Sequence, residues 1–260
     1  MRRFQDRVDY ALAGRVAVVT LDRPDRLNAF DGAMYEGVNE AMLYFRDDAD
    51  AWVAVLQASG ERAFSAGADV IALDEHSRSG QTSALGALLI DSDMVTDKPI
   101  IAAVHGHCVG EGVNLALACD LIFADSDARF MISEVRIGVN PVDIPIKLAN
   151  RLGYAKAFAF LAPGDGKSSD WLASAGLVER VCAAGTVRKK ALEFATRLVE
   201  ECAPLALRAQ KDTLFQAAFA SVSEAKASGE ARRQVIRASA DYAEGRQAFL
   251  EKRTPKFTGR

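Results

Sequence analysis

Two short stretches of this sequence could hold an oxygen atom by main-chain groups alone, and one glutamate could move a proton beside it. In "AFSAGADVIAL" (63–73), Ser65, Ala66, Gly67 and Ala68 fall where a strand turns into a helix. Asp69 stands just inside that helix, where a negative charge suits the dipole. "HGHCVGEGV" (105–113) makes a second such turn, and glycines at 106, 110 and 112 let a ligand approach the backbone closely. Two backbone N–H groups converging on one oxygen form an oxyanion hole. Spacing alone favours two ordinary glycine turns, because isolated Gly-rich turns are weak evidence. Glu134, between the short apolar stretches of "RFMISEVRIG" (129–138), is either a cap or surface residue or a general base whose pKa is raised by burial. Asp143 in "NPVDIP" is a neighbour for it or an Asx-turn residue. Asn114, a polar amide among alanines and leucines, sits one turn into the small-residue helix of "GEGVNLALAC".

The elements that must position these groups can be read from the apolar patterning. "RVAVVTL" (15–21) and "WVAVLQ" (52–57) are β-branched runs bounded by Gly, Pro or Ser, as buried strands are. Between them "DGAMYEGVNEAMLYFRDD" spaces Met34, Val38, Met42 and Phe45 at helical intervals behind an Asp cap. "PIIAAV" (99–104) and "DLIFAD" (120–125) repeat the strand pattern, with the "GEGVNLALAC" helix between them. The unit is strand, helix, strand, repeated. From "SSDWLASAG" onward long amphipathic helices take over. A chain of 260 residues, 50% of them hydrophobic, buries a large core as one α/β domain. The patterning and the helices that follow it suggest a core over 1–200 and a helical region over 201–260.

Other chemistries fail on spacing or composition. "GDGKS" (164–168) is not a phosphate loop, because Leu161 stands where that motif needs glycine, so Lys167 reads as a loop lysine ahead of a Ser-capped helix. His105 and His107 lack a G-x-S-x-G partner and read as structural. With four cysteines that form no CxxC pair and three histidines in all, no metal site is expected, and the thiols read as reduced. The net charge of −3 offers no basic field for nucleic acid, and no apolar run is long enough for a membrane span. A small-molecule substrate and a cytoplasmic location are the expectation.

Taken in order, "VAVVTLDRPDRLNAF", "ERAFSAGADV", "KPIIAAVHGHCVGEGVNLALACDLIFA", "SEVRIG", "SAGLVERV" and "SADYAEGRQAFLEKRTPKF" resemble the crotonase, or enoyl-CoA hydratase/isomerase, superfamily nearly end to end. That resemblance implies an α/β spiral of repeated ββα units and a C-terminal helical region that builds homotrimers, commonly paired into hexamers. It implies an acyl-CoA thioester as ligand, with no cofactor beyond the CoA moiety of the substrate. Its matching positions make the N–H groups of Ala68 and Glu111 the oxyanion hole, which reverses the preference for ordinary turns. They also put Arg26, Leu27, Ala66, Asp69 and Val70 along the CoA moiety and Lys252 near its phosphates, from an adjacent subunit in some arrangements.

The sequence departs from the family pattern at three places. The hydratases of the family carry two glutamates; here one is kept as Glu134 and the other is Asn114. The middle glycine of the family's Gly-Gly-Gly is Glu111, and a glycine after the "PE" segment is Val142. Adding water to an enoyl thioester needs one group to deprotonate the water and another to supply the α-proton. Shifting a double bond from β,γ to α,β needs one base. Isomerisation of an enoyl-CoA by Glu134 therefore ranks first. Hydration with Asn114 only positioning water ranks second, and an acyl-CoA-binding protein without turnover stands as the reading of another class.

Overall fold

The computed structural model describes residues 1–79, 85–92, 95–137, 139–219 and 222–260. The chain opens with β1 (Arg2–Phe4), β2 (Val8–Ala13) and β3 (Val16–Leu21), which pair as antiparallel neighbours. α1 (Gly32–Asp47) starts at Asp31, whose side chain accepts from the Met34 N–H, and buries Met34, Val38, Met42 and Phe45 on one face. Three passes of similar build follow. The first is β4 (Val53–Ala58), β5 (Ala63–Ser65) and α2 (Val70–Arg78), followed by the short α3 (Leu89–Ser92). The second is β6 (Ile100–Val104), β7 (His107–Val109) and α4 (Glu111–Ala118). The third is β8 (Leu121–Asp125), β9 (Arg129–Met131), a 3-10 turn at Glu134–Ile137 and α5 (Asp143–Leu161), which is broken at Gly153.

Each pass gives one strand to each of two sheets. The larger sheet has seven strands in the order β1-β2-β3-β4-β6-β8-β11, the last being Arg180–Cys182. From β3 onward its pairs are parallel. Both faces are covered, so its strands read as continuous apolar runs. Ala54, Leu56, Ala102 and Val104 face α1 and the main core, while Val53, Val55, Ile101 and Phe123 face Val187, Ala191 and Ala195 of α7 (Val187–Glu201). The smaller sheet runs β10-β9-β7-β5, with β5, β7 and β9 parallel and β10 (Gly166–Ser168) antiparallel at its edge. Stacking three parallel strands brings the three segments that leave their C-terminal ends side by side. Those segments carry Ala66–Asp69, Gly110–Glu111 and Ser133–Glu134.

The repeated strand, strand, helix unit is the spiral implied by the sequence. The C-terminal part is helical: α8 (Pro204–Phe219), α9 (Val222–Arg237) and α10 (Ala240–Glu251) follow α7. It is tied to the core by charge. Arg208 Nε and Arg232 meet Asp97 at 2.7 and 3.0 Å, and Lys211 meets Asp120 at 2.9 Å. Burial alone would push the Asp97 carboxyl up, but these two guanidinium groups hold it below the usual carboxylate range. Lys167 is corrected in one respect. It lies in edge strand β10 rather than in a loop and pairs with Asp165 at 2.8 Å, while the next residue, Ser168, caps α6 (Ser169–Ser174) as expected. Among the described residues no helix is long and apolar enough to cross a membrane, and no group of three or more His, Cys, Asp or Glu side chains could hold a metal.

Candidate active site

The turn after β5 is built by Ser65. Its hydroxyl donates to the Asn28 carbonyl at 2.8 Å and accepts from the Gly67 N–H at 3.2 Å, which ties the start of the turn to the Asn28 loop. Gly67 has φ +90, and a Cβ there would lie 3.0 Å from the Val109 carbonyl oxygen and 3.6 Å from the Glu111 nitrogen. Gly112 likewise has no room for a side chain, since its Cβ would meet Ser65 Cβ at 2.8 Å. Glycine at these two positions lets the turn after β5 and the start of α4 touch backbone to backbone.

Both expected donors lie at this contact. Ala68 bridges in parallel to Phe30, with Phe30 N–H bonded to the Gly67 carbonyl at 2.8 Å and Asp69 N–H to the Phe30 carbonyl at 2.9 Å. In such a bridge the flanking residues make the bonds, so the N–H of Ala68 itself points away from Phe30. Glu111 is the first residue of α4, whose opening N–H groups have no partner within the helix. Gly110 precedes it with no side-chain cap, at φ 48 and ψ −110.

The third segment brings the carboxylate. The Gly110 N–H bonds to the Met131 carbonyl at 2.9 Å, which fixes the end of β9 against the α4 turn. Glu134 follows two residues after Ile132, and its Oε1 lies 2.5 Å from where a Gly110 Cβ would stand. Its Oε2 is buried with no hydrogen-bond partner among the described residues. Burial pushes the Glu134 carboxyl above its ordinary value, and the N–H groups of Glu134 and Ser133 offset this only in part. The Glu134 side chain is half-buried, with its Oε2 out of contact with solvent. An orphaned buried carboxylate oxygen of this kind calls for an explanation.

Asn114 is 3% exposed, on the same face of α4. Its Nδ2 donates to Glu111 Oε1 at 3.1 Å, and its Oδ1 accepts from Lys147 Nζ at 2.7 Å. Lys147 was not among the sequence candidates. Its signal there is slight, a basic residue four after Asp143 in an otherwise apolar "IPIKLA". Asp143 is exposed at the first turn of α5.

The remaining candidates form a rim beside the first turn. Leu27, left-handed at φ 52, accepts from the Ala66 N–H at 2.9 Å, and exposed Arg26 ends the 3-10 turn before it. Buried Asn28 clamps this loop through the Ser59 and Ala63 carbonyls, both at 3.0 Å. Asp69 is the N-cap of α2 rather than a residue inside it, accepting from the Ile71 and Ala72 N–H groups at 3.1 and 3.2 Å. Its other oxygen takes Arg23 at 2.8 Å. Burial works against this charge, but Arg23 and the two amides outweigh it and lower the Asp69 pKa. The Asp69 side chain is thus engaged within the chain, whereas Val70 is 75% exposed. Lys252 is exposed at the end of α10, its N–H closing on Ala248 and Phe249. His105 is buried against Arg188 at 3.1 Å, and burial, then Arg188, pushes its pKa down to about 4. That imidazole is neutral at pH 7 and packs between β6 and α7.

The family model for enoyl-CoA hydratase/isomerase matches residues 12–260. The chain belongs to this family, within the crotonase superfamily. It is similar to carnitinyl-CoA dehydratase of Salmonella typhi, 34% identical over 253 residues that cover 95% of this chain and 96% of that one. It is also similar to 2,3-dehydroadipyl-CoA hydratase of Escherichia coli (strain K12), 31% identical over 247 residues with 95% and 96% coverage. Among solved structures, a probable enoyl-CoA hydratase/isomerase from Mycobacterium abscessus matches with a TM-score of 0.89 and 29% identity, covering 97% of this chain and 99% of that one. An enoyl-CoA hydratase from Polaromonas sp. JS666 matches with a TM-score of 0.88 and 30% identity, over 96% and 99%. The crotonase-family enzyme made of these parts acts on acyl-CoA thioesters.

Proposed function

We propose that this chain carries an acyl-CoA thioester through an enolate, with Glu134 as the acid/base at C2 and the N–H groups of Ala68 and Glu111 on the thioester oxygen. The observation that carries this reading is the Glu134 carboxylate, buried, raised in pKa and seated on Gly110 one residue from the Glu111 N–H. An α-proton of a thioester is far less acidic than a carboxylic acid. The raised pKa narrows that gap from the base's side, and each oxyanion donor narrows it by about 3 to 4 kcal/mol from the enolate's side. The CoA moiety then runs along Arg26, Leu27, Ala66, Asp69 and Val70, and its main-chain contacts come from the turn that Asn28 and Ser65 hold in place.

Glu134 alone supports isomerisation of an enoyl-CoA. It takes a proton from C2 of a 3-enoyl thioester, the double bond moves into conjugation, and the same carboxylic acid returns the proton at C4. Hydration, or dehydration in reverse, is the second reading. It is favoured by the names of the two relatives above, a dehydratase and a hydratase, and it needs a group besides Glu134 to handle the water.

Two assays separate these readings. A 3-enoyl-CoA that gains the absorbance of a conjugated enoyl thioester reports isomerisation. A 2-enoyl-CoA that loses it in water reports hydration. If the protein binds a CoA ester yet turns over neither substrate and exchanges no C2 proton, it is a binding protein and the enolate reading fails.

A further inference from the structure

Position 114 holds an amide, yet a carboxylate stands against it. Glu111 and Asn114 are three residues apart on α4 and therefore share a face of that helix, which the 3.1 Å bond between them shows directly. Lys147, from α5, fixes which way the amide points. An ammonium only donates, so the amide oxygen faces Lys147 at 2.7 Å and its nitrogen faces Glu111. Asn114 in this setting cannot take a proton from water. It is a link between a cation on one helix and a carboxylate on another. Glu111 also directly follows Gly110, the residue on which the Glu134 carboxylate rests. The Glu111 backbone and the Glu134 carboxylate therefore meet at the same turn.

We propose that Glu111 is the second carboxylate of this site, supplied one helical turn before position 114, with Asn114 and Lys147 as positioning residues that aim it. The proposal rests on the enolate reading above and adds hydration to it. Water bonds through its oxygen to C3 of a 2-enoyl-CoA while Glu111 takes the proton the water loses. The C2–C3 π pair moves to form the enolate held by the Ala68 and Glu111 N–H groups. Protonated Glu134 then gives its proton to C2 as the enolate collapses. Glu111 ends with one proton and Glu134 with none, and transfer between them through solvent resets the pair. Dehydration of a 3-hydroxyacyl-CoA is the same path reversed. Glu111 thus acts twice, by its main chain on the thioester oxygen and by its side chain on water.

The test compares two rates on the full-length protein: hydration of a four-carbon 2-enoyl-CoA and C2 deuterium exchange on a saturated four-carbon acyl-CoA. The wild type is expected to do both. Glu111→Gln should lower the ratio of hydration to exchange at least about 100-fold, since it removes a general base and keeps the side-chain shape. Lys147→Met should lower the same ratio by a smaller factor, in kcat rather than KM. The double variant Glu111→Gly with Asn114→Glu, which moves the carboxylate one turn along the helix, should bring the ratio back to within about tenfold of the wild type. A purely structural ion network predicts no such rescue. Should Glu111→Gln not fold, Glu111→Asp keeps the charge, withdraws it by one methylene and should lower the ratio in the same direction. Absence of exchange in the wild type would overturn the enolate reading itself. Exchange without hydration in the wild type, a Glu111→Gln protein that hydrates normally, or equal losses in both rates would overturn the role of Glu111 and leave the enolate reading standing.

Discussion

Gly110 to alanine is a small change at the point where the oxyanion turn and the catalytic carboxylate meet. The added methyl would lie 2.5 Å from Glu134 Oε1. A relaxed carbon–oxygen contact is about 3.3 to 3.6 Å, so the carboxylate or the turn must retreat by about 1 Å. Misplacing a reacting group by about 1 Å lowers turnover about 100-fold. The backbone adds its own strain, because φ 48 with ψ −110 is a glycine conformation and an alanine held there costs of order 1–3 kcal/mol. For a chain of this length that lowers Tm by roughly 2 to 10 °C. Affinity for an unreactive acyl-CoA should change by less than about tenfold, since no contact to CoA is removed. The assay is kcat on whichever enoyl-CoA the wild type converts, beside the Kd of a saturated CoA ester by calorimetry and the melting curve. A folded Gly110→Ala protein with kcat within about threefold of wild type would refute the placement of Glu134 against this turn.

Glu134 also makes a prediction about stability. Its folded pKa lies above the ordinary glutamate value of 4.5, so the folded state binds this proton more tightly than the unfolded chain does. The ionised carboxylate therefore costs stability above the folded pKa, and the cost shrinks as pH falls through the folded pKa and is gone below 4.5. Glu134→Gln should raise Tm at pH 7 and lose that advantage near pH 4, as read by scanning calorimetry on both proteins; a lower Tm at pH 7 would contradict the burial of the charge. Asp69→Ala removes the cap of α2 and the shorter of the two ion pairs of Arg23, which keeps Asp31 at 3.4 Å, so it should lower stability by about 1 to 3 kcal/mol in a urea titration, and no measurable loss would show that the cap and ion pair contribute little. Leu214, Val235, Phe249 and Leu250 expose large apolar side chains on the C-terminal helices, and light scattering at micromolar concentration should find a trimer or hexamer rather than a monomer.

The parts of this fold that the sequence announces are those where one local pattern decides the outcome. Val16–Leu21, Val53–Ala58, Ile100–Val104 and Leu121–Asp125 read as strands because they are buried on both faces and rich in apolar residues, and α1 reads from the spacing of Met34, Val38, Met42 and Phe45. The smaller sheet was invisible. Ala63–Ser65, His107–Val109, Arg129–Met131 and Gly166–Ser168 have three residues each, too few for a period of two to register, and their pairings are all non-local. Yet this sheet is what aligns the three site segments. The glycines at 67, 110 and 112 were legible as turns, but not the reason for them, which is backbone contact between two turns far apart in sequence. Glu134 could not be told from a surface residue, because the burial of its Oε2 comes from segments far apart in sequence. Lys147 gave almost no sign, because its partner lies 33 residues earlier on another helix and a lone lysine on an apolar helix usually extends into solvent.

Deuterium exchange at C2 of a saturated acyl-CoA measures the Glu134 chemistry most directly, because it needs no double bond, no water addition and no knowledge of the natural acyl group. In D2O the wild type should place deuterium at C2, read by mass spectrometry of the thioester. Glu134→Gln should slow this at least about 100-fold while the CoA ester still binds within about tenfold of wild-type affinity. Deuterium entering at the wild-type rate with Glu134→Gln, or none entering with a wild-type protein saturated with the ester, would contradict the assignment of Glu134 as the acid/base of an enolate site.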